Sequence, residues 1–88
     1  MNKSSLTVVT WDGFDCETGN YIEIDKADIP SVASGSIIDV YDNKDDQYHT
    51  VEIISVVKTS NKTIIEAFDR DENKDRTFDM EEIRPKAT

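Results

Sequence analysis

The sequence predicts an all-β protein with minor α content, a small antiparallel barrel or roll of about five to six strands with one short helical turn. Short runs of β-branched and aromatic residues alternate with polar turns at spacings of roughly ten to fifteen residues. No stretch keeps a helical period of apolar residues long enough to build a bundle. A chain of 88 residues has the size of one small domain, so residues 1–88 are predicted to share a single core.

The first two predicted strands pair as a hairpin. Leu6–Trp11 is rich in β-branched and aromatic side chains, and its tryptophan is expected in the core. Tyr21–Asp25 alternates, which places Ile22 and Ile24 together on one face. The glycine-containing pairs at 12–13 and 19–20 predict a polar loop between the strands.

A short helical turn is predicted after the first hairpin. Asp28 has a side chain suited to cap it, Pro30 lies near its start, and Gly35 is expected to end it.

Four further strands are predicted. The longest, Tyr48–Val57, is apolar on both faces after Ile53 apart from one serine, which is typical of a central strand or of one that bends round a barrel. In the last strand, alternation places Phe78 and Met80 on the inner face. The four strands are Ser36–Tyr41, Tyr48–Val57, Lys62–Phe68 and Arg76–Met80.

The net charge of the chain limits the kinds of partner that it is expected to bind. The chain carries 19 acidic residues against 10 lysines and arginines, a formal net charge of −9. Surfaces that bind nucleic acid or anionic membranes need clustered basic residues, so neither is predicted as a direct partner. No run reaches membrane-spanning length and no apolar leader follows Met1, so a cytoplasmic address is predicted.

Two acidic turns, 42–46 and 69–75, hold much of the negative charge together with their flanking strands. Side by side, they would form a face that imitates phosphates and docks on a basic groove. The plainer interpretation is a solvated acidic surface. The second turn has oxygen ligands at alternate positions, but Lys74 occupies the glycine position of a calcium loop, so no metal site and no cofactor are predicted.

No catalytic residues are predicted, and the chain is not expected to be an enzyme. Cys16, the sole cysteine, lies between two acidic residues, which disfavours its thiolate. His49, the sole histidine, has Tyr48 and Thr50 beside it and is expected at a surface strand position. An enzyme would require Cys16 or His49 to converge with acids in a pocket.

The first and last hairpins resemble each other. Residues 8–12 and 22–25, joined by an acidic turn, compare with 64–69 and 78–81. Internal duplication is one interpretation, and the common pattern of alternating strands with acidic turns is the other.

Four stretches within residues 37–83 resemble parts of a known small barrel, namely Ile38–Asp42, Thr50–Val57, Glu66–Asp69 and Arg76–Met80. The family is the WYL domain, an Sm-like or SH3-like β-barrel of bacterial transcriptional regulators and phage-defence proteins. Thr63–Ile65 falls where that family has its Trp-Tyr-Leu signature. The resemblance implies the barrel and a regulatory role. It does not imply nucleic-acid binding, because only Arg76 matches the family's ligand-contacting basic residues.

The sequence thus favours a non-enzymatic interaction or regulatory module that binds a protein partner through a sheet face or an edge strand. Pairing of the edge strands of two copies would give a homodimer. The alternative is an acidic nucleic-acid mimic, of phage or mobile-element origin, that inhibits a basic nucleic-acid-binding protein. Predicted interface residues are Tyr21, Glu23, Asp39, Tyr41, Asp69, Asp71, Asp75, Arg76 and Asp79.

Overall fold

A computed structural model describes residues 10–81, which form a closed antiparallel barrel of six strands. Each strand pairs with the next along the chain, and the last pairs with the first. The fold class predicted from the sequence is therefore confirmed. The strands are β1 (Thr10–Asp15), β2 (Tyr21–Asp25), β3 (Ile37–Asp42), β4 (Gln47–Lys58), β5 (Thr63–Asp69) and β6 (Lys74–Met80), with a 3₁₀ helix at Lys26–Ser31.

The core fills the barrel through strict alternation of inward and outward side chains. The predicted inward pairs, Ile22 with Ile24 and Phe78 with Met80, are fully buried, and so is most of Trp11. The Trp11 indole N–H donates to the backbone carbonyl of Glu81, which satisfies its polar end.

Strand β1 differs from the prediction at Gly13. The predicted loop at 12–13 is part of the strand, and residues 6–9 of the predicted strand lie outside the described residues. A Cβ atom at Gly13 would lie 2.6 Å from the carbonyl oxygen of Asp79 and 2.6 Å from Met80 Sδ. Glycine is required here because β1 and β6 approach closely where the barrel closes, and not because the chain turns.

The helical turn is present, but its boundaries differ from the prediction. Asp25 is the N-cap, without a side-chain capping bond, and Asp28 lies inside the helix. The helix ends at Ser31 and does not extend to Gly35, which has another role. The Gly35 N–H donates to Ile53 O over 2.7 Å, and Ser36 O accepts from Ile53 N over 2.8 Å, so this segment is bound to β4.

Strand β4 is the longest, as predicted, and it bends. Its pairing with β5 shifts register between Ile53 and Ser55, where a β-bulge leaves Ile54 outward and half exposed. A bulge increases the local bend and twist, which lets a long strand follow a small barrel.

The three hairpins of the barrel repeat at an interval of 27 residues. Asp15, Asp42 and Asp69 each end the first strand of a hairpin. Four residues after each aspartate the backbone has a positive φ, of 75° at Gly19, 60° at Asp46 and 58° at Asn73. The sequence also predicted that the first and last hairpins are similar, but it aligned residues 8–12 with 64–69, which is a different register. Part of that first segment lies outside the described residues. The prediction did not include the middle hairpin.

The barrel departs from threefold symmetry at one seam. Asp15 lies opposite Phe78, and Asp69 lies opposite Val51, which is the equivalent register. Asp42, however, lies opposite Ile22, two residues from the equivalent position. The backbone bond of the next residue shifts as well, since the Asn43 N–H donates to Tyr21 O over 3.0 Å whereas the equivalent Cys16 and Arg70 donate to Thr77 O and Thr50 O.

Candidate functional site

Three aspartates, one from each hairpin, converge on one buried arginine. Strands β1, β3 and β5 run in the same direction, so Asp15, Asp42 and Asp69 meet at one end of the barrel, here called the turn end, formed by residues 15–20, 42–47 and 69–74. Arg76 Nη1 lies 3.0 Å from Asp15 Oδ2 and 3.6 Å from Asp42 Oδ2, and its Nε lies 2.9 Å from Asp69 Oδ2. The Asp69 contact is electrostatic, because the Nε–H is not aligned for a hydrogen bond.

The second oxygen of each aspartate holds its own turn. Asp15 Oδ1 accepts from the N–H groups of Glu17 and Thr18 over 2.8 and 3.3 Å. Asp69 Oδ1 accepts from the two equivalent N–H groups, and Asp42 Oδ1 accepts from Lys44 N over 2.8 Å. Each of the three carboxylates thus fixes its own turn with Oδ1 and faces Arg76 with Oδ2. These two roles explain why an aspartate occupies this position in each 27-residue repeat.

His49 occupies the position on β4 that Arg76 occupies on β6 and Ile22 on β2. The prediction of a surface position for His49 is wrong, because its partner across β3 is the inward-facing Val40 and the ring is buried. Its Nε2 donates to Asp45 Oδ2 over 2.7 Å. The condition stated for an enzyme is convergence with acids in a pocket, and His49 meets its first part through its contacts with Asp45 and Asp69.

The pKa of Asp45 lies below its ordinary value. Loss of solvent around the carboxyl acts in the opposite direction, but the hydrogen bond and charge of His49 outweigh it. Asp45 Oδ1 also accepts from Gln47 N over 3.1 Å. Asp45 is therefore held in place as the outer partner of His49.

Two predicted interface residues, Asp69 and Arg76, are inside the barrel and unavailable to a partner. Their exposed fractions are 0% and 5%. Asp79 is half-buried and lies 3.1 Å from Lys62 Nζ. Of the other predicted interface residues, Tyr21, Asp39, Asp71 and Asp75 are exposed, and Glu23 and Tyr41 are half-buried.

The outer surface of β1–β4 carries an aromatic face, defined as Phe14, Tyr21, Glu23, Tyr41 and Tyr48. Phe14 pairs with Tyr21 across β1 and β2, Glu23 with Tyr41 across β2 and β3, and Tyr41 with Tyr48 across β3 and β4. The Tyr41 and Tyr48 rings meet edge to face with centroids 5.2 Å apart. Exposure reaches 66% at Tyr21 and 55% at Tyr48. Alternation along the strands predicted Tyr21 and Tyr41 as interface residues, and the cross-strand pairing places Phe14 and Tyr48 beside them.

An acidic groove of about 270 Å³ borders the aromatic face at the shifted β2–β3 seam. Asp12 lies directly opposite Glu23, a like-charge pair that is unfavourable on a sheet surface. No lysine or arginine of residues 10–81 forms an ion pair with either carboxylate. The groove is lined by Asp12, Tyr21, Ile22, Glu23, Asn43 and Glu81.

Cys16 is exposed at the turn end, and the pKa of its thiol is raised. Partial desolvation is the largest cause, followed by the negative charges of Asp79 and Asp15, while Lys62 acts in the opposite direction. The local sequence correctly predicted that acids disfavour the thiolate.

A family model described as "Family of unknown function (DUF5334)" matches residues 11–83. The chain belongs to this family. The match to DUF5334 spans all six strands and includes the three turn aspartates and Arg76. None of the curated proteins and none of the solved structures compared with the chain matches it significantly. The family description does not name the WYL domain, and the resemblance of residues 37–83 to that domain stays a prediction. No helix within residues 10–81 has the length and apolar character needed to cross a membrane.

Proposed function

We propose that this protein is a non-enzymatic interaction module that binds a basic segment of a partner protein through the aromatic face and the adjoining acidic groove. The observation that carries the proposal is the aromatic face itself, in which three exposed aromatic side chains, Phe14, Tyr21 and Tyr48, lie across β1–β4 together with the half-buried Glu23 and Tyr41. Aromatic residues are enriched at protein interfaces because they bury much area at little cost in side-chain entropy.

The acidic groove favours a cationic side chain as the element that enters it. Asp12 and Glu23 repel each other across β1 and β2, and Glu81 adds a third carboxylate to the lining. A lysine or arginine from a partner would relieve this repulsion and would also lie beside the ring of Tyr21, where a cation–π contact adds to the attraction.

The sheet face is favoured over an edge strand as the binding route. Each strand within residues 10–81 has a neighbour on both sides because β6 pairs with β1. The predicted edge-strand route, including dimerisation through it, has no free strand along this part of the chain.

Peptide binding tests the proposal. Wild-type protein is titrated by fluorescence polarisation with lysine- and arginine-containing peptides, and glutamate-containing peptides of equal length serve as the ligand control. Tyr21→Ala is expected to weaken binding by about tenfold or more, as removal of an interface anchor does. The matched control is Ile54→Ala, which removes an apolar side chain, 51% exposed, from the bulge of β4. Equal affinity of wild type and Tyr21→Ala for the basic peptides would contradict the proposal.

Nucleic-acid mimicry is retained as a second candidate because the two acidic turns lie together at the turn end. The exposed residues Asp71 and Asp75 suit its test, whereas Asp69 does not, since it is buried. Mimicry predicts that Asp71→Lys and Asp75→Lys abolish binding to a basic nucleic-acid-binding protein while Tyr21→Ala does not. Displacement of that protein from DNA by wild type and by both lysine variants alike would contradict mimicry.

A further inference from the structure

Two buried atoms at the turn end face each other without a hydrogen bond. His49 Nδ1 lies 3.6 Å from Asp69 Oδ2. The two side chains are 7% and 0% exposed, and neither atom has a hydrogen-bond partner within residues 10–81. A carboxylate oxygen of the exposed residue Asp71 lies within 4.8 Å of a ring nitrogen of His49 and of a carboxylate oxygen of Asp69. Buried polar atoms normally find partners, so this arrangement requires a physical explanation.

The hydrogen bond on the opposite side of the imidazole assigns the tautomer. A carboxylate only accepts, so His49 Nε2 carries the hydrogen that Asp45 Oδ2 receives over 2.7 Å. On a neutral ring, Nδ1 presents its lone pair to Asp69 Oδ2, and two lone pairs that face each other in a buried site repel. On a charged ring, a proton on Nδ1 lies between the same two atoms. A divalent cation would take this place in either case, by relieving the repulsion or by displacing the proton.

We propose that His49 Nδ1, Asp69 Oδ2 and a carboxylate oxygen of Asp71 form a binding site for one divalent transition-metal ion, with Asp45 as the residue that orients the imidazole. This arrangement has the pattern of a metal-bound histidine whose other ring nitrogen donates to a carboxylate. The separation also fits. Zinc bonds of about 2.0–2.2 Å to nitrogen and oxygen, at a tetrahedral angle, place the two ligand atoms about 3.4 Å apart.

The charges around the site favour a cation in spite of Arg76. The guanidinium lies 2.9 Å from the proposed ligand Asp69 Oδ2 and lowers its attraction for an ion. Five carboxylates surround the guanidinium of Arg76 and the imidazole of His49, namely Asp15, Asp42, Asp45, Asp69 and Asp71. In a second grouping, of Asp42, Asp45 and His49, the His49 Nε2 atom is already bonded to Asp45 Oδ2 over 2.7 Å.

The imidazole selects the class of ion. Imidazole nitrogen suits zinc, cobalt and nickel, whereas calcium and magnesium prefer oxygen ligands alone. The site therefore differs from the calcium loop considered for residues 69–75, although it uses two of the same aspartates. The sequence could not indicate it, because the histidine lies on β4 whereas Asp69 ends β5 and Asp71 follows it in the next turn.

Metal titration of the purified protein tests the proposal. Zn²⁺ and Co²⁺ are titrated by calorimetry, and the Co²⁺ complex is followed by visible absorption. One ion is expected to bind per chain, with a large chemical-shift change at His49 Nδ1 in nitrogen NMR spectra. His49→Gln should abolish the Co²⁺ spectrum, and Asp71→Asn should weaken binding at least tenfold. Asp71→Asn keeps an oxygen that can accept the hydrogen bond from Thr50 N, so the fold is expected to persist.

Asp75→Asn is the matched control, since it removes an exposed carboxylate from the same hairpin outside the cluster. It should leave Zn²⁺ affinity within twofold of wild type. Equal loss of affinity in Asp71→Asn and Asp75→Asn, or displacement of Zn²⁺ by an equal concentration of Ca²⁺, would show only attraction to an acidic surface and would overturn the proposal. Failure of wild type to bind either transition metal would overturn it as well.

Discussion

Arg76→Met removes the one positive charge that the three turn aspartates share, while it keeps an unbranched side chain in the barrel. Removal of one partner from a buried ion pair costs about 3–5 kcal/mol, because the remaining charges stay buried without compensation. A domain of 88 residues has a total free energy of unfolding of about 4–13 kcal/mol at about 0.05–0.15 kcal/mol per residue. The variant is therefore expected to lose a large part of its stability.

Urea denaturation measures this loss. With a slope of about 1–3 kcal/mol per molar urea, the midpoint of Arg76→Met should fall by roughly 1–5 M. The control is Arg70→Met, which removes an exposed arginine and should change stability by no more than about 0.5 kcal/mol. Where Arg76→Met leaves the chain unfolded, Arg76→Lys keeps a point charge and makes the comparison possible.

A double-mutant cycle separates the charge from the packing. Asp69→Asn keeps an Oδ1 acceptor for the turn N–H groups but removes the carboxylate charge. Combined with Arg76→Met, it should recover about 1–3 kcal/mol relative to the sum of the single changes. Purely additive effects, or a loss below about 1 kcal/mol in Arg76→Met, would refute the argument that Arg76 compensates buried carboxylates.

Three further predictions concern single residues. Gly13→Ala should lower stability by about 1–3 kcal/mol, seen as a lower melting temperature, because its methyl group meets the backbone of β6. The lowered pKa of Asp45 implies a contribution to stability that is present above the unfolded value of about 4 and is lost as pH falls through the folded pKa. The difference in urea midpoint between wild type and Asp45→Asn should therefore shrink in acid, and a constant difference would contradict the pairing with His49. The raised pKa of Cys16 predicts slower reaction with a disulfide reagent near pH 8 than an unstructured cysteine peptide shows, and Asp79→Asn should speed it.

Alternation predicted most of the barrel because it reports directly on which face is apolar. The bounds of β2, Tyr21–Asp25, and the inward pair Phe78 and Met80 were predicted correctly from it. The same pattern gave a wrong prediction at Gly13, where it indicated a loop in place of a strand. A glycine inside a strand is taken for a turn residue unless the neighbouring strand that approaches it closely is known.

The buried polar cluster could not be predicted from local pattern. Polar residues within a strand are expected at the surface, and the carboxylates that make burial of Arg76 favourable lie in all three turns, with Asp15 61 positions away in the chain. One signal was present in the sequence. An aromatic residue followed by aspartate occurs at Phe14-Asp15, Tyr41-Asp42 and Phe68-Asp69, with equal intervals of 27 residues. A search for repeats at that interval would have brought the three turns together.

The position that faces the three aspartates is where the repeats diverge. Ile22, His49 and Arg76 occupy it on β2, β4 and β6, and all three are buried. The turn end is therefore chemically asymmetric on a nearly symmetric scaffold, because the three equivalent positions hold one apolar, one titratable and one permanently charged side chain. That asymmetry separates the Arg76 side of the cluster, which holds the fold, from the His49 side, where the metal ion is proposed.

Convergence of the turn carboxylates on Arg76 inside the barrel is tested most directly by nitrogen NMR of the arginine side chains. The Nε–H and guanidinium N–H groups of Arg76 should give resolved signals that exchange slowly with water, whereas those of exposed Arg70 should exchange rapidly. Assignment follows from the loss of the Arg76 signals in Arg76→Lys. Exchange of the Arg76 protons as rapid as that of Arg70 would place the guanidinium in solvent and contradict the arrangement described for the turn end.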